Sequence, residues 1–320
     1  EGEDPFTQCR GIPLYHFSMI NDLGRAEAYS NALRSEIARL PDGGGRAVVL
    51  DIGCGSGLLS MVAARHGAAS VVGCDKAPGM AGVARQAVAD NALSERVSIL
   101  DTLSTCMEAG THLPARADLL VSETFGDDPL SESFLPSLAH ARAHLLTPTA
   151  RVVPGALRVY FTLVDSPDLL AVNFPPDPPL KGEDGFDFSA WGALSRTRWS
   201  CFLKDHAVTL LTPPLEALRI DWSDPAAPVP LKGSSVVDAK VVNAGTVHAV
   251  VAWYSLEMGG DAGGEISTAP DAPAMKGRHW RQSVWYVPRG ARRVVAPGES
   301  VRVEACFVRD RLVFSLQPQL

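Results

Sequence analysis

Short apolar segments alternate with helix-forming segments over residues 47–146, and this alternation constrains the fold more than any other feature of the sequence. Four segments have the nearly continuous apolar character of strands buried in a parallel sheet: 47–53, 70–75, 97–100 and 117–123. Three helix-forming segments lie between or after them: 57–67, 79–93 and 134–146. Such alternation is typical of a doubly wound α/β fold, so the sequence predicts a Rossmann-like domain over residues 41–153.

The pattern changes at Pro154, after which β-forming segments dominate. They are 156–164, 235–243, 247–257, 281–288 and 300–317. The sequence therefore predicts an antiparallel β-barrel domain over residues 154–320, with a sandwich as the alternative architecture. Residues 166–216 are rich in proline and irregular in pattern, which favours an arm that projects from the β domain.

Composition narrows the range of partners and compartments. The chain of 320 residues has a net charge of −7 and a pI of about 5.6, which argues against a surface that grips nucleic acid. No apolar run approaches the ~18–20 residues that cross a bilayer, and no signal peptide is recognisable. The cysteines lack zinc-site spacing and are expected to be reduced, in a cytoplasmic protein without a metal or a membrane anchor. They are Cys9, Cys54, Cys74, Cys106, Cys201 and Cys306.

A glycine-rich turn joins the first predicted strand to the following helix. Gly53, Gly55 and Gly57 have the spacing G-x-G-x-G, whereas the dinucleotide fingerprint requires G-x-G-x-x-G. The shorter spacing is found in methyltransferases that bind S-adenosyl-L-methionine (SAM). Asp75, at the end of the second strand, suits the two hydroxyls of a ribose. The alternative is a tight turn with Asp75 capping the next helix, but the ordered set of strand, turn, helix, strand and aspartate favours a ligand that carries a nucleoside.

Two glutamates flank a short loop after the fourth predicted strand. Glu123 ends the strand, and Gly126 and Pro129 favour a turn that brings Glu132 back beside it. Like charges held close together repel each other, and a cation between them relieves the repulsion. A planar guanidinium, with five N–H donors, fits two carboxylates well. A solvated acidic turn or a Mg²⁺ site explains the same spacing, and the spacing alone leaves these alternatives open.

Four motifs, in order, resemble those of the protein arginine methyltransferase family over residues 15 to about 290. They are "MINDLGR" (19–25), "VVLDIGCGSGLLSMVAARHGA" (48–68), "SETFGDDPLSESFLPS" (122–137) and "GRHWRQSVWY" (277–286). The monomethylating subfamily is the most similar. The resemblance implies a fold in which a Rossmann-like domain is followed by a β-barrel.

The resemblance also implies how SAM is held. The N-terminal segment, residues 1–40 with a predicted helix over 19–40, covers the cofactor, and Arg25 pairs with the SAM carboxylate. Asp75 binds the ribose. Further cofactor-binding residues are implied along the sheet edge: Asp51, Gly53, Gly55, Gly57, Ser104, Thr105 and Glu123.

The acceptor site follows from the same resemblance. Glu123 and Glu132 clamp the acceptor guanidinium and are the principal catalytic residues. His279 pairs with Asp22, and this pair or Glu132 takes the released proton. Trp280 closes the acceptor pocket, and Met19 packs against the acceptor nitrogen. No metal is implied.

The implied reaction is methyl transfer from SAM to a guanidino nitrogen, with S-adenosyl-L-homocysteine as the second product. Free L-arginine in a natural-product pathway is the favoured acceptor, giving N-omega-methyl-L-arginine, with Asp127, Asp128 and Arg278 near its amino-acid end. An arginine in a peptide or protein is the alternative, and a non-catalytic SAM-binding regulatory module is an alternative of another class. Phe134 predicts monomethylation by crowding, and relatives imply a homodimer built with the 166–216 arm.

Overall fold

The computed structural model describes residues 15–77, 79–174, 189–259, 264–272 and 280–317. The helices are α1 (Tyr15–Asn21), α2 (Leu23–Ala38), α3 (Leu58–Arg65), α4 (Met80–Asp90), α5 (Phe134–His144) and α6 (Pro167–Ala171). None of the helices in these ranges is long and apolar enough to cross a membrane.

A five-stranded parallel sheet forms the first half of the fold. Its strands are β1 (Val48–Ile52), β2 (Ser70–Asp75), β3 (Val97–Asp101), β4 (Ala117–Ser122) and β5 (Leu146–Val153). The strand order is β3-β2-β1-β4-β5, with helices in the connections, which confirms the predicted Rossmann-like fold class. Because β1 pairs with β2 on one side and β4 on the other, the ends of these three strands meet at one edge of the sheet.

The N-terminal helix predicted over residues 19–40 is divided in two. Asp22 separates α1 from α2, and its Oδ1 accepts a hydrogen bond from the backbone N–H of Arg25 at 3.1 Å. An aspartate in this N-cap position satisfies an amide of the first turn, which starts a new helix there. The buried face of α2 includes Tyr29, Leu33 and Ile37, and it joins the core beside the parallel sheet.

Antiparallel strands form the second half of the fold, as predicted. They are β6 (Ala156–Asp165), β7 (Arg198–Cys201), β8 (Thr209–Leu210), β9 (Leu215–Asp221), β10 (Lys232–Lys240), β11 (Gly245–Thr246), β12 (Ala249–Glu257), β13 (Glu265–Ser267), β14 (Gln282–Tyr286), β15 (Val294–Val295), β16 (Ser300–Val308) and β17 (Arg311–Leu316). Within the described ranges they make sheets of seven, three and two strands, and closure into one barrel stays a prediction.

The segment 166–216, predicted as a projecting arm, has mixed structure. Its described parts include α6, β7 and β8, and β7 pairs with β14 in the seven-stranded sheet. The arm is therefore anchored to this sheet at its C-terminal side.

One hydrophobic core joins the two halves. The rings of Phe125 and Trp222 lie 4.7 Å and 4.8 Å from the ring of Phe134. Arg142 Nη1 donates to the carbonyl of Ala227 at 2.6 Å, and its Nη2 donates to the carbonyl of Trp222. These contacts fix the end of β4, and the loop that follows it, against the antiparallel sheets.

Candidate active site

The glycine turn after β1 lies directly against the end of β4. Gly53, Gly55 and Gly57 have φ values of 73°, 51° and 78°, a left-handed conformation that favours glycine. A Cβ atom on Gly53 would lie 2.3 Å from the Thr124 side chain. The turn therefore requires glycine both for its backbone conformation and for its close contact with the residue that follows Glu123.

Asp75 holds this turn in place. Its Oδ2 accepts from the Gly55 backbone N–H at 2.9 Å, and its Oδ1 accepts from the Ala77 backbone N–H at 2.8 Å. The predicted carboxylate at the end of β2 is thus beside the glycine turn. The alternative, in which Asp75 caps the next helix, is not observed among the described residues, because Gly79 is the N-cap of α4 and receives no side-chain cap hydrogen bond.

Asp51 is a fully buried carboxyl group at this edge of the sheet. Its Oδ2 accepts from Ser60 Oγ at 2.6 Å, whereas its Oδ1 has no hydrogen-bond partner in the described part of the chain. Burial raises the pKa of Asp51 to about 7. A buried acceptor without a partner next to a glycine turn fits a ligand that brings its own polar hydrogens.

The predicted adenine contacts follow β3 in a short turn, Ser104–Cys106. Ser104 is buried there and Thr105 is exposed. Both residues are at the same edge as Asp75, because β3 pairs with β2 and Asp75 lies opposite Asp101. The structure therefore brings together the sheet-edge residues that the sequence assigned to the cofactor.

Arg25 and Glu123 form a buried ion pair at the centre of the site. Arg25 Nη1 donates to Glu123 Oε2, and Arg25 Nη2 donates to the Met19 carbonyl at 2.7 Å. Arg25 Nε is buried and has no hydrogen-bond partner among the described residues. The first of the two predicted clamp glutamates thus already holds an arginine guanidinium, supplied by α2 of the same chain.

Burial dominates the electrostatics of Glu123. It raises the pKa of Glu123 above its usual range, the positive charge of Arg25 opposes that rise, and the negative charge of Glu132 adds to it. The charge of Glu132 therefore acts on Glu123, and the close pairing of the two carboxylates across the turn at Gly126 and Pro129 stays a prediction.

Glu132 is the more accessible member of the pair. It is exposed, and partial desolvation still raises its pKa against the opposing charge of Lys76. Its Oε1 lies 3.2 Å from the position that a Cβ atom on Gly126 would take. Any residue other than glycine at position 126 would therefore crowd the Glu132 carboxylate.

Trp280 covers the other side of Arg25. Its Nε1 donates to the Phe125 carbonyl at 2.6 Å, and Arg25 Cζ lies 6.0 Å from the centre of its ring. Asp127 Oδ1 accepts from the Arg281 backbone N–H at 2.7 Å. The start of β14 is thereby attached to the loop between the two glutamates. His279 and Arg278, both named from the sequence, lie outside the described residues.

Asp128 has a structural partner that the sequence did not indicate. It is buried, and its Oδ2 accepts from Arg198 Nη1 on β7. We therefore correct the prediction that Asp128 is available to an amino-acid substrate, because its carboxylate is already paired. Phe134 packs among the aromatic rings of the core. That its ring crowds a methylated acceptor nitrogen, and so limits the reaction to monomethylation, stays a prediction.

Two tyrosines near Glu123 were missed by the sequence analysis. Tyr29 donates from its hydroxyl to the Ser122 carbonyl at 3.1 Å. Tyr254 is fully buried on β12, and within the described ranges its hydroxyl has no hydrogen-bond partner. Each occupies an apolar position of a regular helix or strand pattern, so no local sequence signal separates it from an ordinary core residue.

Comparisons with known proteins point in one direction. The family model of ribosomal protein L11 methyltransferase matches residues 40–125, and that of the arginine methyltransferase oligomerization subdomain matches residues 205–313. An arginine N(omega)-methyltransferase of Streptomyces achromogenes subsp. streptozoticus is 33% identical over 304 residues, which cover 93% of this chain and 78% of the relative.

Longer relatives share the same region. Protein arginine N-methyltransferase 1.6 of Arabidopsis thaliana is 27% identical over 99% of this chain. Protein arginine N-methyltransferase 7 of Aedes aegypti is 29% identical over 95% of this chain. The chain spans about half of the length of these two relatives, 45% and 48% respectively.

Two solved structures share the fold. The PRMT1 enzyme–prozyme heterotetramer of Trypanosoma brucei, in complex with AdoHcy, matches 91% of this chain and 86% of its own with a TM-score of 0.73 at 24% identity. Protein arginine methyltransferase 10 of Arabidopsis thaliana matches 93% of this chain and 88% of its own with a TM-score of 0.70 at 22% identity.

Proposed function

This chain belongs to the arginine N-methyltransferase family, and from that premise we propose that it transfers a methyl group from SAM to a guanidino nitrogen of free L-arginine. The products are N-omega-methyl-L-arginine and S-adenosyl-L-homocysteine. One observation carries the proposal: the buried Glu123 carboxylate holds a guanidinium group, that of Arg25. The charge of the second glutamate of the loop, Glu132, also raises the pKa of Glu123.

The residues at the sheet edge fit the cofactor. Arg25 would pair with the SAM carboxylate, Asp75 would bind the ribose, and Ser104 and Thr105 would lie beside the adenine. The unpartnered Oδ1 of Asp51 and the glycine turn support a ligand with a polar, hydrogen-bearing end at this point. When bound, SAM supplies an electrophilic methyl group.

The two glutamates would then prepare the acceptor. A free guanidinium is a poor nucleophile because its charge is delocalised over three nitrogens and its pKa is above ~12. Carboxylates that accept hydrogen bonds from two of these nitrogens draw positive charge toward themselves and orient the third. Glu132, at the exposed side, is placed to pass the released proton to solvent, and the Asp22–His279 pair is the second candidate for this role.

Free arginine is favoured over an arginine in a protein by the arginine N(omega)-methyltransferase relative from Streptomyces. That similarity also suggests a natural-product pathway for the methylated amino acid. An arginine in a peptide or protein is the alternative acceptor, supported by the longer protein arginine N-methyltransferases that match this chain. A SAM-binding module without catalysis would have no use for both glutamates.

A homodimer in the cytoplasm is the proposed working form. The arm segment 166–216 exposes Val172, Trp191 and Leu194, and the N-terminal helices expose Phe17 and Leu23. Apolar side chains on two separate surfaces suit an interface in which the arm of one copy covers the helices of the other. The match to an oligomerization subdomain supports the same assembly. The net charge of −7 disfavours a nucleic-acid partner.

Mass spectrometry tests the choice of acceptor. The purified protein is incubated with SAM and either free L-arginine or a peptide rich in Arg-Gly. We expect monomethylated free arginine and little change in the peptide. Methylation of the peptide alone would establish the alternative, whereas SAM binding without any methylated product would leave a non-catalytic module.

A further inference from the structure

Tyr254 is held rigidly in the middle of β12. Its backbone N–H donates to Thr268 Oγ1 at 2.9 Å, and its carbonyl accepts from the Thr268 backbone N–H at 2.8 Å. β12 also pairs with β6 on one side and β14 on the other. The ring has no solvent exposure. The position of the side chain is therefore set by the fold.

The hydroxyl of Tyr254 is not explained by the fold. It is buried and has no hydrogen-bond partner among the residues that the structure describes. A buried polar group without a partner lowers the free energy of unfolding, and a phenylalanine in the same space would avoid that loss. A hydroxyl at this point is therefore expected to find its partner in another state of the protein.

The surroundings of Tyr254 identify that state. Its ring meets the Trp280 ring edge to face at 5.8 Å, and Arg25 Cζ lies 6.0 Å from the Trp280 ring centre. After burial, the charge of Glu123 makes the largest contribution to raising the pKa of Tyr254, and Asp127 and Glu132 add to it. The phenol thus lies among the residues of the two-glutamate loop and its cover.

We propose that Tyr254 is a positioning residue of the acceptor site, whose hydroxyl donates a hydrogen bond to the Glu123 carboxylate once Arg25 releases it. This inference rests on the proposed function, in which Arg25 turns to the SAM carboxylate. Glu123 then lacks its partner until the acceptor arrives. A neutral O–H donor fixes the orientation of the carboxylate and leaves its negative charge available to the acceptor guanidinium.

The variant Tyr254→Phe removes only the hydroxyl. In the ligand-free protein no hydrogen bond is lost, so we expect an unchanged or higher melting temperature. Binding of S-adenosyl-L-homocysteine, measured by calorimetry, is expected to weaken about tenfold because Glu123 is left without a donor. With L-arginine, we expect kcat to fall about tenfold and the acid limb of the kcat/KM profile to move to higher pH.

Tyr160→Phe is the matched control. Tyr160 is half-buried on β6, and its ring stacks on the ring of Trp253 at 6.4 Å. Because Trp253 directly precedes Tyr254 on β12, its side chain lies on the opposite face of the sheet from Tyr254. The variant Tyr160→Phe should leave the S-adenosyl-L-homocysteine affinity, the turnover and the pH profile unchanged. If Tyr254→Phe matches wild type in S-adenosyl-L-homocysteine affinity and in the pH profile, or only lowers the melting temperature, the inference is wrong.

The calorimetric arm separates this inference from the proposed function. If wild type fails to methylate arginine but Tyr254→Phe still weakens S-adenosyl-L-homocysteine binding, the proposed acceptor is wrong and the proposed role of Tyr254 stands. If wild type methylates arginine and Tyr254→Phe does not change the S-adenosyl-L-homocysteine affinity, the proposed acceptor stands and the proposed role of Tyr254 is wrong.

Discussion

At the scale of single residues, the pair of Arg25 and Glu123 dominates the site. Both side chains are buried, and Glu132 is exposed. Glu123→Gln would leave the Arg25 guanidinium buried without a counter-charge, and we expect a loss of unfolding free energy on the order of 3 kcal/mol. Glu132→Gln should cost much less. Urea unfolding without ligands measures both, and equal losses would contradict the distinction between the two glutamates.

Asp51 gives a prediction about pH. The pKa of Asp51 is about 7 in the folded protein, whereas its ordinary value is 3.8, so the folded state retains a proton that the unfolded state releases. The contribution of Asp51 to stability therefore falls as the pH rises from about 4 to about 7.

Asp51→Asn removes this titration. Its stability relative to wild type should therefore increase over the same pH window. Urea unfolding at several pH values measures this difference in stability. The variant Ser60→Ala removes the hydrogen bond to Asp51 and tests how that bond contributes to the difference. A difference between Asp51→Asn and wild type that is independent of pH would show that the Asp51 carboxyl group titrates normally.

The limits of sequence reasoning are clearest at individual residues. Gly53, Glu123 and Glu132 could be named because turn geometry and charge restrict what can occupy those positions. Arg198 could not, because its partner Asp128 lies 70 positions away along the chain. Tyr254 could not, because it occupies an apolar position of a regular strand pattern. Asp128 looked available to a substrate until the fold placed Arg198 beside it.

At the scale of elements, α2 and β4 are coupled through their ends. Arg25 in the first turn of α2 occupies Glu123 at the end of β4. Under the proposed mechanism, the SAM carboxylate draws Arg25 away and so frees Glu123 for the acceptor. Binding of the two ligands should then be cooperative, with the same coupling factor in both directions.

Calorimetry tests this coupling. We expect S-adenosyl-L-homocysteine to raise the affinity for L-arginine by about tenfold, a coupling free energy of about 1.4 kcal/mol. In Arg25→Ala the affinity for L-arginine should no longer depend on the cofactor product. An unchanged affinity in wild type would mean that Arg25 does not compete with the acceptor.

The parallel strands were predictable to different degrees. Each of the first four strands, β1 to β4, is a nearly continuous apolar run in the sequence, because its side chains are mostly buried. β5 was missed because Pro148 and polar neighbours interrupt its pattern. Pro148 lies between Leu146 and Arg151, which pair with Ala117 and Leu119 around an irregularity at the sheet edge. Proline is tolerated at such a place, where a ladder hydrogen bond is not required.

At the scale of the whole molecule, the site depends on contacts between the two halves. Trp280 Nε1 donates to the Phe125 carbonyl at 2.6 Å, and Ser283 Oγ donates to the Asp127 carbonyl at 2.9 Å. The sequence predicted the two fold types but not these contacts, because they depend on how the antiparallel sheets pack against the parallel sheet. The loop of the two glutamates is therefore shaped by both halves.

The central claim is that Glu123 and Glu132 together hold the guanidinium that receives the methyl group. The most direct measurement is methyl transfer from labelled SAM to free L-arginine by wild type, Glu132→Gln and the exposed control Glu299→Gln, with SAM affinity measured in parallel. We predict transfer by wild type and the control, and a loss of at least about 100-fold in Glu132→Gln with SAM binding retained. Near-normal transfer by Glu132→Gln would contradict the account.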